Sequence, residues 1–334
     1  MIESIQFQNF RCLRDTTLPL RPFTLIVGPN GSGKTTAVQS LRLVREALLT
    51  STNPSPTRMV QTAGAGGLTE TSISVRGRNQ HGSFAISLHW SATNFVGIRR
   101  DSHPATAAAL PFLAGVRTFS LDAEALAQPV RIVPRVELAY NGRDLSGVLD
   151  WLGDREPERW ETLNASLREW FPEYNRIVLD WVAEGEKQLF LRRSGKPTRI
   201  GANDLSAGTL YVLAMLTLAH LPEPPTLVAI EEPDHGIHPR LLRLVYDALN
   251  RLAFPAEHGE SRSPVQVIAT THSPYFLNLF RDHPEDVVIA SKSNGDAKFQ
   301  RLVDTPHADE ILSDSPPLGD VWYSGILGGV PEGT

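Results

Sequence analysis

The sequence predicts an α/β fold, a mixed β-sheet flanked by helices and interrupted by a small helical subdomain. Three observations predict it. Phe23–Val27 is a short apolar strand that runs through a glycine-rich turn into a helix with Ala37, Leu41, Val44 and Leu48 on one face. The apolar runs 226–230 and 266–270 have the character of strands buried on both faces of a parallel sheet. Between these segments, residues 145–171 read as helical, with Trp160, Leu163, Leu167 and Trp170 on one face and Pro172 stopping the run.

The remaining elements follow in chain order. Ile5 and Phe7 alternate with polar neighbours, as in a half-buried opening strand. Residues 50–67 shift to Ser, Thr, Pro, Gly and Ala and predict a loop. Strands are expected over 72–75 and 84–90, around a Gly-Arg-Asn turn, and a second Ala- and Pro-rich loop over 102–111. Asn141-Gly142 marks a turn. Residues 177–182 and 188–192 form a hairpin across Glu184-Gly185, and 205–220 is a strongly apolar helix. Residues 287–290 and 299–302 flank Asn294-Gly295, a hairpin signal. Neither an internal repeat nor a long heptad array is present. The expected division is an N-terminal lobe over 1–140, a helical and hairpin subdomain over 141–200, and a second lobe over 201–334.

Composition narrows the function classes. The chain has 334 residues and a net charge of −5, so its overall charge gives no support to coating nucleic acid. Arg99-Arg100 and Arg192-Arg193 are short basic clusters whose plainest role is solvated surface. Cys12 is the only cysteine, which excludes an internal disulfide and a cysteine-based zinc site. No stretch reaches the apolar length of a membrane span, and Met1-Ile2-Glu3-Ser4 does not open a signal peptide. The expected compartment is the cytoplasm.

The strongest motif is Gly28-Pro29-Asn30-Gly31-Ser32-Gly33-Lys34-Thr35, a complete G-x-x-x-x-G-K-[ST] loop followed by Thr36. Its glycines let the backbone turn several N–H groups on one anion at the start of a helix. Lys34 brings positive charge to the β- and γ-phosphates of a nucleotide, and Thr35 offers a hydroxyl to Mg²⁺. Three weaker signals lie downstream. Glu231-Glu232 ends an apolar strand, where one acid can organise Mg²⁺ and the other can orient water, or both can be ordinary surface acids. Asp204-Leu205-Ser206-Ala207-Gly208-Thr209 opens a helix and can present donors to phosphate, or be a simple N-cap. His272 follows a strand and can donate to a γ-phosphate, or be structural.

Taken in order, these motifs resemble the head of ABC-type ATPases. The opening strand ends in Asn9-Phe10-Arg11, similar to the Asn-Phe-Arg opening of the SMC, RecF and OLD-family ATPases. Glu231-Glu232-Pro233-Asp234 with His238-Pro239, and Thr271-His272-Ser273-Pro274, resemble segments of the OLD-like members in particular. Leu318-Gly319-Asp320 through Gly325 and Gly328-Gly329 look like the tail of the stand-alone bacterial members.

The resemblance implies a P-loop NTPase fold of the ABC-ATPase head type, and it implies roles. Lys34 and Thr35 bind phosphates and Mg²⁺, Glu231 takes the Walker B metal position, Glu232 is the catalytic base and His272 the switch histidine. Arg11 lies near the nucleotide, and Ser206 and Gly208 contact ATP held by a second copy. The sequence departs from the pattern at Glu231, where an Asp is usual, and at the Leu-Ser-Ala-Gly-Thr signature, which differs from that of transporter subunits. Gln61 and Gln128 are the candidates for the Q-loop. Too few residues follow His272 for a Toprim domain, so no nuclease activity is expected in this chain. The leading expectation is an ATPase with ATP and Mg²⁺ as cofactors, acting through an ATP-dependent homodimer in DNA maintenance or anti-phage defence. The alternative is a nucleotide-gated module that holds a separate effector protein. A DNA partner remains open, and membrane association is not expected.

Overall fold

The computed structural model describes residues 1–49, 70–91, 94–134, 136–293, 295–306, 308–313 and 317–327. They form two compact units, each discontinuous in sequence. The first comprises Met1–Thr118, Pro225–Glu232 and Pro264–Thr334, and the second Phe119–Pro224 and Pro233–Ser263.

The first unit carries an antiparallel five-stranded sheet and a mixed six-stranded one. The antiparallel sheet has the order β2-β1-β4-β5-β6. Its strands are β1 (Ile2–Phe10), β2 (Leu13–Pro19), β4 (Glu70–Asn79), β5 (Gly82–Ser91) and β6 (Asn94–Arg100). Side chains alternate across it, so Ile5, Phe7, Ile73, Val75, Ile86, Leu88 and Trp90 all enter one core. The mixed sheet has the order β15-β14-β3-β13-β12-β7. Its strands are β3 (Phe23–Val27), β7 (Val116–Phe119), β12 (Leu227–Glu231), β13 (Gln266–Thr271), β14 (Val287–Ser293) and β15 (Asp296–Arg301). β14, β3, β13 and β12 are parallel neighbours, and β15 returns antiparallel to β14. Every residue of β3 and β13 is buried, which is why their apolar residues run on without alternation. Helix α1 (Lys34–Leu49) follows the glycine turn, and Ala37, Leu41 and Val44 are buried in the same core as the antiparallel sheet. Helices α2 (Pro104–Ala114), α8 (Pro274–Leu277), α9 (Ala308–Ser313) and α10 (Leu318–Tyr323) complete the unit.

The second unit is largely helical. It contains α3 (Ala123–Ala127), α4 (Leu145–Arg155), α5 (Pro157–Trp170), α6 (Ala207–His220) and α7 (Pro239–Ala253). A small sheet joins β10 (Glu186–Arg193) to β9 (Tyr174–Ala183), β8 (Val130–Arg131) and β11 (Arg199–Gly201). Nearly all of α6 is buried, and α7, α5 and α3 pack against it.

Several expectations need correction. The loop expected over 102–111 is α2: alanine favours helix, Pro104 suits the first turn, and the His103 side chain accepts from the Ala105 N–H. The single helical run over 145–171 breaks into α4 and α5 at Glu156, because the residue before Pro157 is driven out of the helical region. The Gly77-Arg78-Asn79 segment continues β4, and the chain reverses at Gln80-His81. Helix α7 went unread, although Leu242, Val245, Leu249 and Leu252 mark its buried face. The compact units also divide the chain differently from the expected 1–140, 141–200 and 201–334, since α6 falls in the second unit while β12 and β13 fall in the first. The loop expected over 50–67, Asn294 of the expected hairpin, Gln61 and Gly328-Gly329 lie outside the described residues.

Candidate nucleotide site

Three parallel strands of the first unit deliver the candidate side chains to one end of the sheet. Val27 pairs with Thr271, and Thr270 with Glu231, so β3, β13 and β12 finish level with one another. The loop after β3, His272 after β13 and Glu231-Glu232 at the end of β12 therefore emerge at the carboxyl edge, where ligands of parallel sheets bind.

The glycine-rich loop is held from two sides. The Gly28 N–H donates to the Thr271 carbonyl at 3.4 Å. A Cβ on Gly28 would lie 2.5 Å from the Ala290 carbonyl oxygen and 2.9 Å from the Ala290 Cβ, so β14 walls the loop and only glycine fits. Gly31 and Gly33 have left-handed backbones, at φ 79° and 92°, on either side of Ser32. Ser32 is buried to 1% exposure, and its Oγ is without a hydrogen-bond partner. A buried, orphaned hydroxyl inside a curled loop at a helix start fits an anion, which would supply the missing acceptor. The Lys34 ammonium donates to the carbonyls of Gly28 at 2.6 Å and Pro29 at 3.0 Å, bridging the loop it would share with phosphate. Thr35 is exposed, while Thr36 turns inward, its Oγ1 3.9 Å from the Cys12 thiol.

Glu231 is half-buried at the last position of β12. Glu232 leaves the strand with φ 46°, and its N–H donates to the Thr270 carbonyl at 3.0 Å and to Thr270 Oγ1 at 3.2 Å. Its carboxylate Oε1 lies 3.1 Å from His272 Nδ1. A carboxylate only accepts, so Nδ1 carries the hydrogen and the ring turns Nε2 outward as its other polar atom. Ser273 N–H donates to Thr271 Oγ1 at 2.9 Å, which bends the chain immediately beyond the histidine.

Arg11 closes a tight reversal between β1 and β2 in which Asn9 and Arg11 are both left-handed and Phe10 is buried. The Arg11 guanidinium donates to Gln39 Oε1 of α1 at 2.9 Å. Ser206 and Gly208 belong to the second unit. Ser206 is the N-cap of α6, accepting from the Thr209 N–H at 3.1 Å, and Asp204 is not the cap. Gly208 packs at ordinary contact distance on Gly236 and Ile237. Gln128 ends α3, donating from its side chain to the Glu124 carbonyl. Sequence reasoning gave no role to Thr270, Thr271 and Ala290. The first two bear hydroxyls directly after an apolar run, a local hint; Ala290 contributes only backbone and Cβ, and leaves no sequence signal.

Residues 71–278, more than half of the chain, match the family model described as "AAA domain, putative AbiEii toxin, Type IV TA system". The chain belongs to this AAA domain family. Residues 1–63 match a second AAA ATPase domain model. An OLD nuclease of Thermus scotoductus (strain ATCC 700910 / SA-01) is 57% identical over 44 residues, a match that spans 13% of this chain and 8% of that protein. Among solved structures, an Smc head bound to the C-terminal winged-helix domain of ScpA superposes with TM-score 0.63 at 13% identity, covering 90% of this chain and 96% of that one. An Smc head with an extended coiled coil, bound to the C-terminal domain of ScpA derived from Pyrococcus furiosus, gives TM-score 0.59 at 13% identity, covering 90% and 95%. At that identity the likeness concerns fold, and it is the P-loop ATPase fold of Smc heads. The motif order and these matches together make the chain similar to OLD-like and Smc-type P-loop ATPases. Among the described residues, no helix is long and apolar enough to cross a membrane.

Proposed function

We propose that this chain hydrolyses ATP with Glu232 as the base, and that ATP binding closes a head-to-head homodimer. The observation that carries the proposal is the Glu232–His272 pair, held at 3.1 Å on the same sheet edge as the phosphate loop. The loop N–H groups, Ser32 and Lys34 would hold the phosphates, while Glu232 orients and deprotonates the attacking water. Thr35 and Glu231 offer hard oxygen donors that fit Mg²⁺. Among the described residues no three His, Cys, Asp or Glu side chains form a metal cage, so the ion would share its shell with phosphate and water. When bound there, Mg²⁺ would supply charge neutralisation. His272 holds the Glu232 carboxylate and directs Nε2 away from it. In the dimer, Ser206 and the start of α6 would meet the γ-phosphate of ATP on the partner copy, as the resemblance implies.

The test is ATP turnover by purified protein with Mg²⁺, with duplex DNA, with single-stranded DNA and with neither. The variant Glu232→Gln is expected to bind ATP normally and to lose at least about a hundredfold in turnover, in keeping with the loss of a positioned base. Normal turnover by that variant removes Glu232 from the role. Stimulation by DNA supports DNA maintenance, and indifference to DNA supports a protein partner.

A second reading, a nucleotide-gated module for an effector protein, is favoured by the likeness to Smc heads bound to a domain of ScpA. A protein that co-purifies with the chain and leaves on addition of ATP supports that reading over a turnover machine.

A further inference from the structure

Among the described residues, four without a glycine's freedom have left-handed backbones: Asn9, Arg11, Asp144 and Glu232. Asn and Asp reach this conformation with help from a short polar side chain, which Glu lacks. Such a backbone persists where the surroundings over-determine it. At Glu232, Thr270 takes the backbone N–H through two acceptors. The bond from the Glu232 N–H to the Thr270 carbonyl, 3.0 Å, merely extends the parallel ladder in which Glu231 faces Thr270. The bond to Thr270 Oγ1, 3.2 Å, belongs to no ladder. It comes from a side chain 1% exposed, walled into a fully buried strand, so the acceptor has no room to drift. The left-handed turn then brings the Glu232 carboxylate to His272.

We propose that Thr270 is a positioning residue for ATP hydrolysis, its hydroxyl fixing the peptide that aims Glu232. The proposal rests on the reading of Glu232 as the base. Thr270 does not touch the reacting atoms; it acts through Glu232 alone. It therefore governs the rate of the chemical step and leaves nucleotide affinity to the phosphate loop, a split that a general loss of packing does not produce.

The experiment compares kcat and KM for MgATP, and the affinity for a non-hydrolysable ATP analogue, in the parent, Thr270→Val, Thr270→Ala, Thr270→Ser, Glu232→Gln and Thr270→Val with Glu232→Gln. Thr270→Val, which keeps shape and loses the hydroxyl, is expected to lower kcat by about tenfold or more with analogue affinity within about twofold of the parent. Thr270→Ala covers the case in which the valine variant fails to fold, and is expected to be equally slow. Thr270→Ser, which restores the hydroxyl, is expected to recover most of the rate. In the Glu232→Gln background, Thr270→Val is expected to remove nothing further, because residues acting as one unit are non-additive. Parent-like kcat in both hydroxyl-free variants overturns the inference, as does a serine variant as slow as alanine. If Glu232→Gln stalls while Thr270→Val turns over normally, only the role of Thr270 falls. If Glu232→Gln itself turns over normally, the reading of Glu232 falls and takes this one with it.

Discussion

Gly28 and Gly31 sit in the same loop for different reasons, and the difference predicts different outcomes. Gly31 has φ 79° and nothing within 4 Å of an added Cβ, so substitution there meets only backbone strain. Gly31→Ala is expected to cost about 1–2 kcal/mol of loop geometry and Gly31→Asn less, since Asn tolerates the left-handed region. Gly28 meets backbone, the Ala290 carbonyl at 2.5 Å, which has no rotamer to yield. Gly28→Ala is therefore expected to weaken ATP binding more severely than Gly31→Ala and to lower the thermal midpoint; titration with an ATP analogue, with a melt beside it, checks the order. The loop itself was legible in the sequence because its eight residues are consecutive and their types follow from phosphate chemistry. The bond from Glu232 to Thr270 was not legible, because it joins residues 38 positions apart and depends on a backbone angle that no residue type announces.

At the scale of elements, α6 carries a testable acid sensitivity. His220 lies at its end, 4% exposed, with Nδ1–H donating to the Leu216 carbonyl at 2.8 Å and Nε2 without a partner. Burial, foremost, pushes its pKa down from 6.5 to about 4, and the nearby Arg251 and Arg262 add to the fall. The unfolded chain thus takes up this proton below about pH 6.5, while the folded chain resists until about pH 4. Stability from the neutral ring is complete above pH 6.5 and drains away as the pH falls, by about 2 kcal/mol at pH 5. Urea midpoints at pH 7.5 and pH 5 should show this loss in the parent and a smaller one in His220→Gln. The α6 cap is a separate matter: Ser206→Ala is expected to cost about 1 kcal/mol, read in the same unfolding curves. Elements were legible where one signal dominated, as in β3, α1 and α6. They were misread where proline competed with alanine, in α2, and where a proline inside a continuous apolar pattern divided α4 from α5.

At the scale of the whole molecule, the proposed dimer makes a prediction of its own. Glu232→Gln with MgATP is expected to double its mass in light scattering, since the ATP state no longer decays. Ser206→Arg in that background is expected to remain a monomer while binding ATP analogue with unchanged affinity. A doubled mass in both would put the contact elsewhere. The parallel order of β14, β3, β13 and β12 was only partly legible, since sequence shows that strands are buried and not which are neighbours. That order has a consequence for how the protein is made. The backbone of Ile2 is tied to the Gln266 side chain, 264 positions later, and β3 lies between β13 and β14, both far downstream of it in sequence. The phosphate loop leaves the ribosome well before its walls, Thr271 and Ala290, are translated. Until then the nascent chain holds a complete motif without a formed site. Contacts so distant in sequence are slow to close, and the emerging β3 is an apolar strand awaiting both neighbours. Competence for nucleotide should therefore arrive late and all at once, and nascent chains arrested before Gln266 should not retain ATP.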